Sequence, residues 1–176
     1  MGGHNKWSQI KRQKGVNDAA KSRIWAKLSR RITVESKKAN GDANASNVRA
    51  VVETAKKENM PKDAIERAIA KGTTADAGSL ESVIYEAYGP GGSALIISTL
   101  TDNKNRTLQE LKAIFAKHAI ALAAPGSALW AFTKTDEGYT PTTPLALGEE
   151  DSAALMKTLE LIDALDDVEE VFTNAE

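Results

Sequence analysis

From Asp18 onward apolar residues return at helical intervals: Ile24, Trp25, Leu28 and Ile32 fall on one side of a helix predicted over 18–36, with Asp18 placed to cap it. On the opposite side Arg23, Lys27, Arg30 and Arg31 lie within a quarter to a third of a turn of one another, forming a basic stripe. The segment KKANGDANASN interrupts the pattern and reads as a loop. A second helix is predicted over 47–58, burying Val48, Val51, Val52 and Ala55. A third runs from Pro61, suited to a first helical position, to Lys71, with Gly72 as terminator. Three short helices with small apolar faces predict a bundle.

Residues 73–79, TTADAGS, have no periodicity and read as a linker, which divides the chain into a helical domain over 1–79 and a second domain over 80–176. Beyond it the period changes. VIYEAY at 83–88 and SALIISTL at 93–100 read as strands, joined through Gly89-Pro90-Gly91-Gly92 as a hairpin. Asp102 and Asn105 are candidate caps for a helix carrying Leu108, Leu111, Ile114 and Phe115. A short strand over 127–132, a turn-rich stretch over 135–144, a short strand at Leu145 and Leu147, a helix over 149–165 and a last strand over 168–173 complete the pattern. The expected class is α+β: an N-terminal three-helix bundle followed by an antiparallel α+β domain of ferredoxin-like kind.

Charge adds what hydropathy does not show. The formal net charge is -1, yet residues 1–72 hold 17 Lys and Arg against 7 Asp and Glu, and residues 73–176 hold 6 against 17. A basic end beside an acidic one points to a polyanion-binding segment, the competing reading being mutual attraction of the two halves. The N-terminus MGGHNKWSQIKRQKG is polar and basic where a signal peptide would be apolar, no window approaches a membrane span, and Lys6 occupies the position where a myristoylation motif needs Ser or Thr. A cytoplasmic location is expected. Without cysteine there is no disulfide framework, thiolate zinc site or cysteine nucleophile.

Within residues 3–14, His4, Lys6, Trp7, Lys11, Arg12 and Lys14 combine cations, amides and an indole. Cations neutralise phosphates and an indole stacks on an unpaired base, so this segment is a candidate nucleic-acid contact; Trp7 and Ile10 are equally suited to core packing. Lys21, Arg23, Lys27, Arg30, Arg31, Lys37 and Lys38, seven cations in or near one helix face, extend the basic set beyond what solubility requires. Lys104, Asn105 and Arg106 sit between a predicted strand and a helix N-terminus, where backbone amides favour anions; a plain helix cap explains the same residues, and both readings stay open. The glycine-rich turn 89–92 lacks the spacing of a dinucleotide or phosphate loop and reads as structural. The two histidines, His4 and His118, have no metal-ligand spacing, and the carboxylates of the tail follow no calcium-loop pattern. No enzyme, metal or cofactor is expected.

Several blocks together resemble the YebC/PmpR family, which includes the mitochondrial translational activator of cytochrome oxidase. They are Gly3-His4-Asn5-Lys6-Trp7 with Ile10-Lys11, Asn59-Met60-Pro61-Lys62-Asp63 with Ile65-Glu66-Arg67-Ala68-Ile69, Tyr85-Glu86-Ala87-Tyr88-Gly89-Pro90-Gly91-Gly92, Thr101-Asp102-Asn103 with Asn105-Arg106-Thr107, and Gly126-Ser127. The resemblance implies an N-terminal helical domain plus α+β domains, no enzymatic activity and a role in gene expression, either as a DNA-binding transcriptional regulator or as a translation factor at the ribosome. Two departures stand out. The family's inserted third domain is expected to be absent near 133–140, and His118-Ala119-Ile120-Ala121-Leu122 replaces a usual glycine-rich turn.

The expected function is therefore a non-enzymatic nucleic-acid-binding regulator of gene expression, a DNA-binding transcriptional regulatory protein. The alternative is a ribosome-associated translation factor binding structured RNA, and a protein-interaction module ranks third. The expected partners are DNA or ribosomal or transfer RNA, and the ribosome itself, with no membrane and no small-molecule substrate. No helix-turn-helix register with an exposed reading face stands out among the three helices.

Overall fold

The computed structural model describes residues 18–75, 78, 80–136 and 138–176. Within them the chain divides into two compact units, one running to Glu81 and the other from Ser82 to Glu176.

The helical unit is built on α1 (Asp18–Lys38), which runs two residues past the predicted 18–36. Helices α2 (Ser46–Lys57) and α3 (Lys62–Lys71) both pack on it. Leu28 and Ile32 of α1 meet Val51 and Ala55 of α2 and Ile65 and Ala68 of α3, with Met60 of the connection completing the core. Polar groups secure the packing. The last carbonyls of a helix lack intrahelical donors, and here Thr33 Oγ1 donates to the Ala68 carbonyl at 3.0 Å and Ser36 Oγ to that of Ile69 at 2.7 Å. Gly72 ends α3 in a right-handed conformation, so a left-handed cap is not its reason. A Cβ there would stand 2.6 Å from Ser36 Oγ and 2.9 Å from the Lys37 amide nitrogen, and only glycine lets the end of α3 approach α1 so closely.

The second unit carries a four-stranded antiparallel sheet in the order β3-β1-β2-β6, formed by β1 (Glu81–Tyr88), β2 (Ala94–Thr101), β3 (Ala121–Ala123) and β6 (Val168–Thr173). The β1–β2 hairpin occupies the centre. Its turn is a 3-10 segment, Pro90–Gly92, in which Gly91 has φ +66° and would place a Cβ 2.5 Å from Leu147, in line with the structural reading of this turn. Helices α4 (Lys104–Lys117) and α5 (Glu149–Asp163) cover one face: Leu95, Ile97 and Val171 of the sheet share a core with Leu111, Phe115, Leu155, Leu159 and Ile162. On the other face Ala94, Ile96 and Phe172 pack beneath Ala128, Ala131 and Phe132.

Several local expectations need correction. Asn103 caps α4, its side chain accepting from the Arg106 amide at 3.1 Å; Asp102 engages the Arg106 side chain instead, and Asn105 is already helical. Residues 129–131 form a 3-10 turn rather than a strand, because Glu86 binds the amides around them. Strand β4 (Phe132–Thr135) follows and pairs with β5 (Gly138–Pro141), so the turn-rich stretch is largely a second hairpin, and Tyr139 meets Phe172 edge to face at 5.4 Å. Leu145 makes a single parallel bridge to Ala175 where a short strand was expected.

Candidate nucleic-acid interface

At about 100° per residue, α1 places its core residues and its cations on opposite sides. Arg23, Lys27, Arg30 and Arg31 share one face, and the half-burial of Lys27 and Arg30 contrasts with full exposure of Arg23 and Arg31. Arg23 makes no ion pair among the described residues, whereas Lys27 and Arg30 are engaged in polar contacts. Lys21 is exposed but points off this stripe, toward the Leu28 side of the helix axis. His4, Lys6, Trp7, Lys11, Arg12 and Lys14 lie outside the described residues.

Toward the C-terminus of α1 the cations become structural. Glu35 takes a proton donor from Lys38 at 2.7 Å and from Asn47 of α2 at 2.8 Å. Partial burial pushes the Glu35 carboxyl upward, but these hydrogen bonds and the charges of Lys38 and Arg31 outweigh it and hold it below the ordinary glutamate value. Lys37 reaches back to the Gly78 carbonyl at 3.0 Å. The exposed cations of the stripe are thus Arg23 and Arg31.

The loop 101–107 belongs to the other unit and has a different character. Arg106 donates to Asp102 Oδ1 at 2.7 Å and to Asp167 at 2.8 and 3.1 Å. Its guanidinium is held protonated above the ordinary arginine range, chiefly by the bond to Asp167 and then by that to Asp102. Asp167 is 3% exposed and also accepts from Thr101 Oγ1 at 3.0 Å and Thr107 Oγ1 at 2.7 Å. Arg106 therefore neutralises a buried carboxylate that ties β2, α4 and the start of β6 together. Lys104 and Asn105 are exposed; the Lys104 carbonyl accepts from the Tyr85 hydroxyl at 3.3 Å, and burial raises the pKa of that phenol.

Two of the blocks that carried the resemblance, 85–92 and Gly126-Ser127, meet in the structure. Glu86, 4% exposed on β1, accepts from the amides of Gly126, Ala128 (2.7 Å) and Leu129 (3.0 Å). Tyr88, two residues on, binds the Ser127 carbonyl and accepts from the Trp130 indole at 2.9 Å. Residues 5–75 match the model for the TACO1/YebC protein N-terminal domain, and residues 80–137 that for the TACO1/YebC second and third domain. The chain belongs to the TACO1/YebC family. A probable transcriptional regulatory protein of Petrotoga mobilis is 49% identical to this TACO1/YebC chain over 136 residues, which are 76% of the chain and 54% of that protein. One from Desulfosudis oleivorans is 40% identical over 187 aligned residues, 97% of the chain and 74% of that protein. The crystal structure of a conserved hypothetical protein, Aq1575, from Aquifex aeolicus superposes with a TM-score of 0.80 at 26% identity, covering 90% of this chain and 91% of that one. The chain spans about half the length of the Petrotoga relative. Among the described residues of this TACO1/YebC chain no group of His, Cys, Asp and Glu is arranged to hold a metal, and no helix is long and apolar enough to cross a membrane.

Proposed function

We propose that the chain is a non-enzymatic, cytoplasmic nucleic-acid-binding regulator of gene expression that grips phosphates through the Arg23–Arg31 face of α1. The observation that carries this reading is the separation on α1 of a buried apolar side from four cations within about 100° of arc, with Arg23 making no ion pair among the described residues. The names of the relatives, probable transcriptional regulatory proteins, support a regulatory role and favour DNA as the target. The make-up of the face serves a second reading, structured RNA, equally well. Arg and Lys without interleaved amides suit phosphate contact rather than base-edge readout. Arg106 is left out of the proposed contacts because its charge is consumed by Asp102 and Asp167; Lys104 and Asn105 of the second unit, and the cations of residues 4–14, are proposed as separate contacts.

Replacement of Arg23, Lys27, Arg30 and Arg31 by Gln tests the proposal. Fluorescence anisotropy with labelled duplex is expected to show affinity falling by at least tenfold, while the melting temperature stays within a few degrees. Unchanged affinity in a folded variant would refute it.

A further inference from the structure

Between α1 and α3 runs an open groove of about 280 Å³, lined by Trp25, Ser29, Met60, Ala64, Arg67 and Lys71. Its volume falls just below the roughly 300–1,000 Å³ of drug-sized ligand sites and suits a smaller group such as one planar ring system. We infer that this groove receives a single unpaired base of a folded RNA, stacked on Trp25 with its phosphate against Arg67 and Lys71. The inference rests on the nucleic-acid reading above and selects RNA between its two targets.

Four observations meet here. The Trp25 indole nitrogen donates to the Glu58 carbonyl at 2.9 Å, so the ring is fixed in orientation and asks no hydrogen bond of a ligand. A fixed aromatic face is what base stacking needs, since ordering the platform then costs little on binding. Small side chains line the groove beside it, Ala26, Ala64 and Ala68. Ser29, half-buried on the groove wall, has a hydroxyl with no hydrogen-bond partner among the described residues, a donor and acceptor for a base edge or a ribose 2′-hydroxyl. At the rim Lys71 is exposed without an ion pair among the described residues, and Arg67 is bound to Asp63 through one nitrogen at 3.0 Å, leaving its other donors available. An apolar slot with cations only at its edge matches a nucleotide, whose base is flat and weakly polar on its faces and whose phosphate is anionic. Unpaired, splayed bases are how folded RNA is read, because its paired major groove is closed to side chains.

The test measures dissociation constants by fluorescence anisotropy for the full chain with three labelled hairpins: RNA with one bulged adenosine, the same RNA fully paired, and DNA with the same bulge. The bulged RNA is expected to bind roughly fivefold or more tighter than either other probe, the lower end of what one stacked base contributes. Trp25→Leu should abolish the difference and Trp25→Phe restore part of it. Ala64→Phe, which fills the slot from its half-buried rim, should abolish it without touching the indole, so the outcome does not hang on how well Trp25→Leu folds. Equal binding of the bulged and paired RNA by the wild type overturns the groove inference alone, as does a preference that survives both Trp25→Leu and Ala64→Phe. Equal binding of bulged DNA and bulged RNA overturns the assignment to RNA. Failure of all three probes to bind defeats the phosphate grip of α1 and this inference with it.

Discussion

Ala119 sits at φ +53°, in the left-handed region that costs an L residue with a Cβ about 1 kcal/mol or more. It is exposed, so its methyl group recovers little by packing, and it lies in the stretch where the resemblance leads one to expect glycine. Ala119→Gly is expected to stabilise the second unit by about 1 kcal/mol, offset partly by the extra freedom glycine has when unfolded. Urea denaturation of the two forms checks this, and a loss of stability would show that the Ala119 turn is not strained. Asp167 presents the opposite case. Its buried carboxylate accepts from Arg106, Thr101 and Thr107, and an amide in its place turns one acceptor into a donor facing donors. Asp167→Asn should therefore destabilise by about 2 kcal/mol, read from the same urea transition. Nothing in the linear sequence joined residue 167 to residues 101–107. Asp167 looked like one more charge in an acidic tail, and only the antiparallel pairing of β2 with β6 brings it under α4.

Among the elements, α1 was the most legible, because a 3.6-residue period over twenty residues defines both faces at once. Its buried side was identified correctly at Leu28 and Ile32, and the strand over 168–173 was read without error. Short elements were harder to read. Strand β3 has three residues, two of them exposed, and no alternation can show in so few positions; it exists because β1 offers it a free edge. The groove beside Trp25 was hidden for a related reason, since a tryptophan on an apolar face reads as core and which of its sides stays open depends on the small residues of α3. The junction of α1 with α2 yields a pH prediction. Glu35 titrates below its ordinary value, so its contribution is full above the unfolded-state pKa and fades as pH falls through the lower folded value. Glu35→Gln should accordingly narrow the gap between urea midpoints measured at neutral pH and just below the ordinary glutamate pKa. A gap as wide as that of the wild type would mean that Lys38 and Asn47 do not stabilise the ionised form.

For the whole molecule, a net charge of -1 conceals one end with ten more basic than acidic residues and another with eleven more acidic than basic. The proposed binding through the basic end would release counterions, and with about six phosphates neutralised the logarithm of the affinity should fall against the logarithm of salt concentration with a slope on the order of -5. A slope near zero, from titrations at several salt concentrations, would mean that apolar contact rather than phosphate neutralisation holds the complex. The second hairpin has a consequence of its own. Thr135 and Gly138 are paired neighbours at its tip, so the chain leaves and re-enters the unit at nearly the same point. A guest domain whose own ends lie close together could be spliced in there while the host strands keep their pairing. On this geometry an insertion between Thr135 and Gly138 is expected to leave the pairing of β4 with β5 in place.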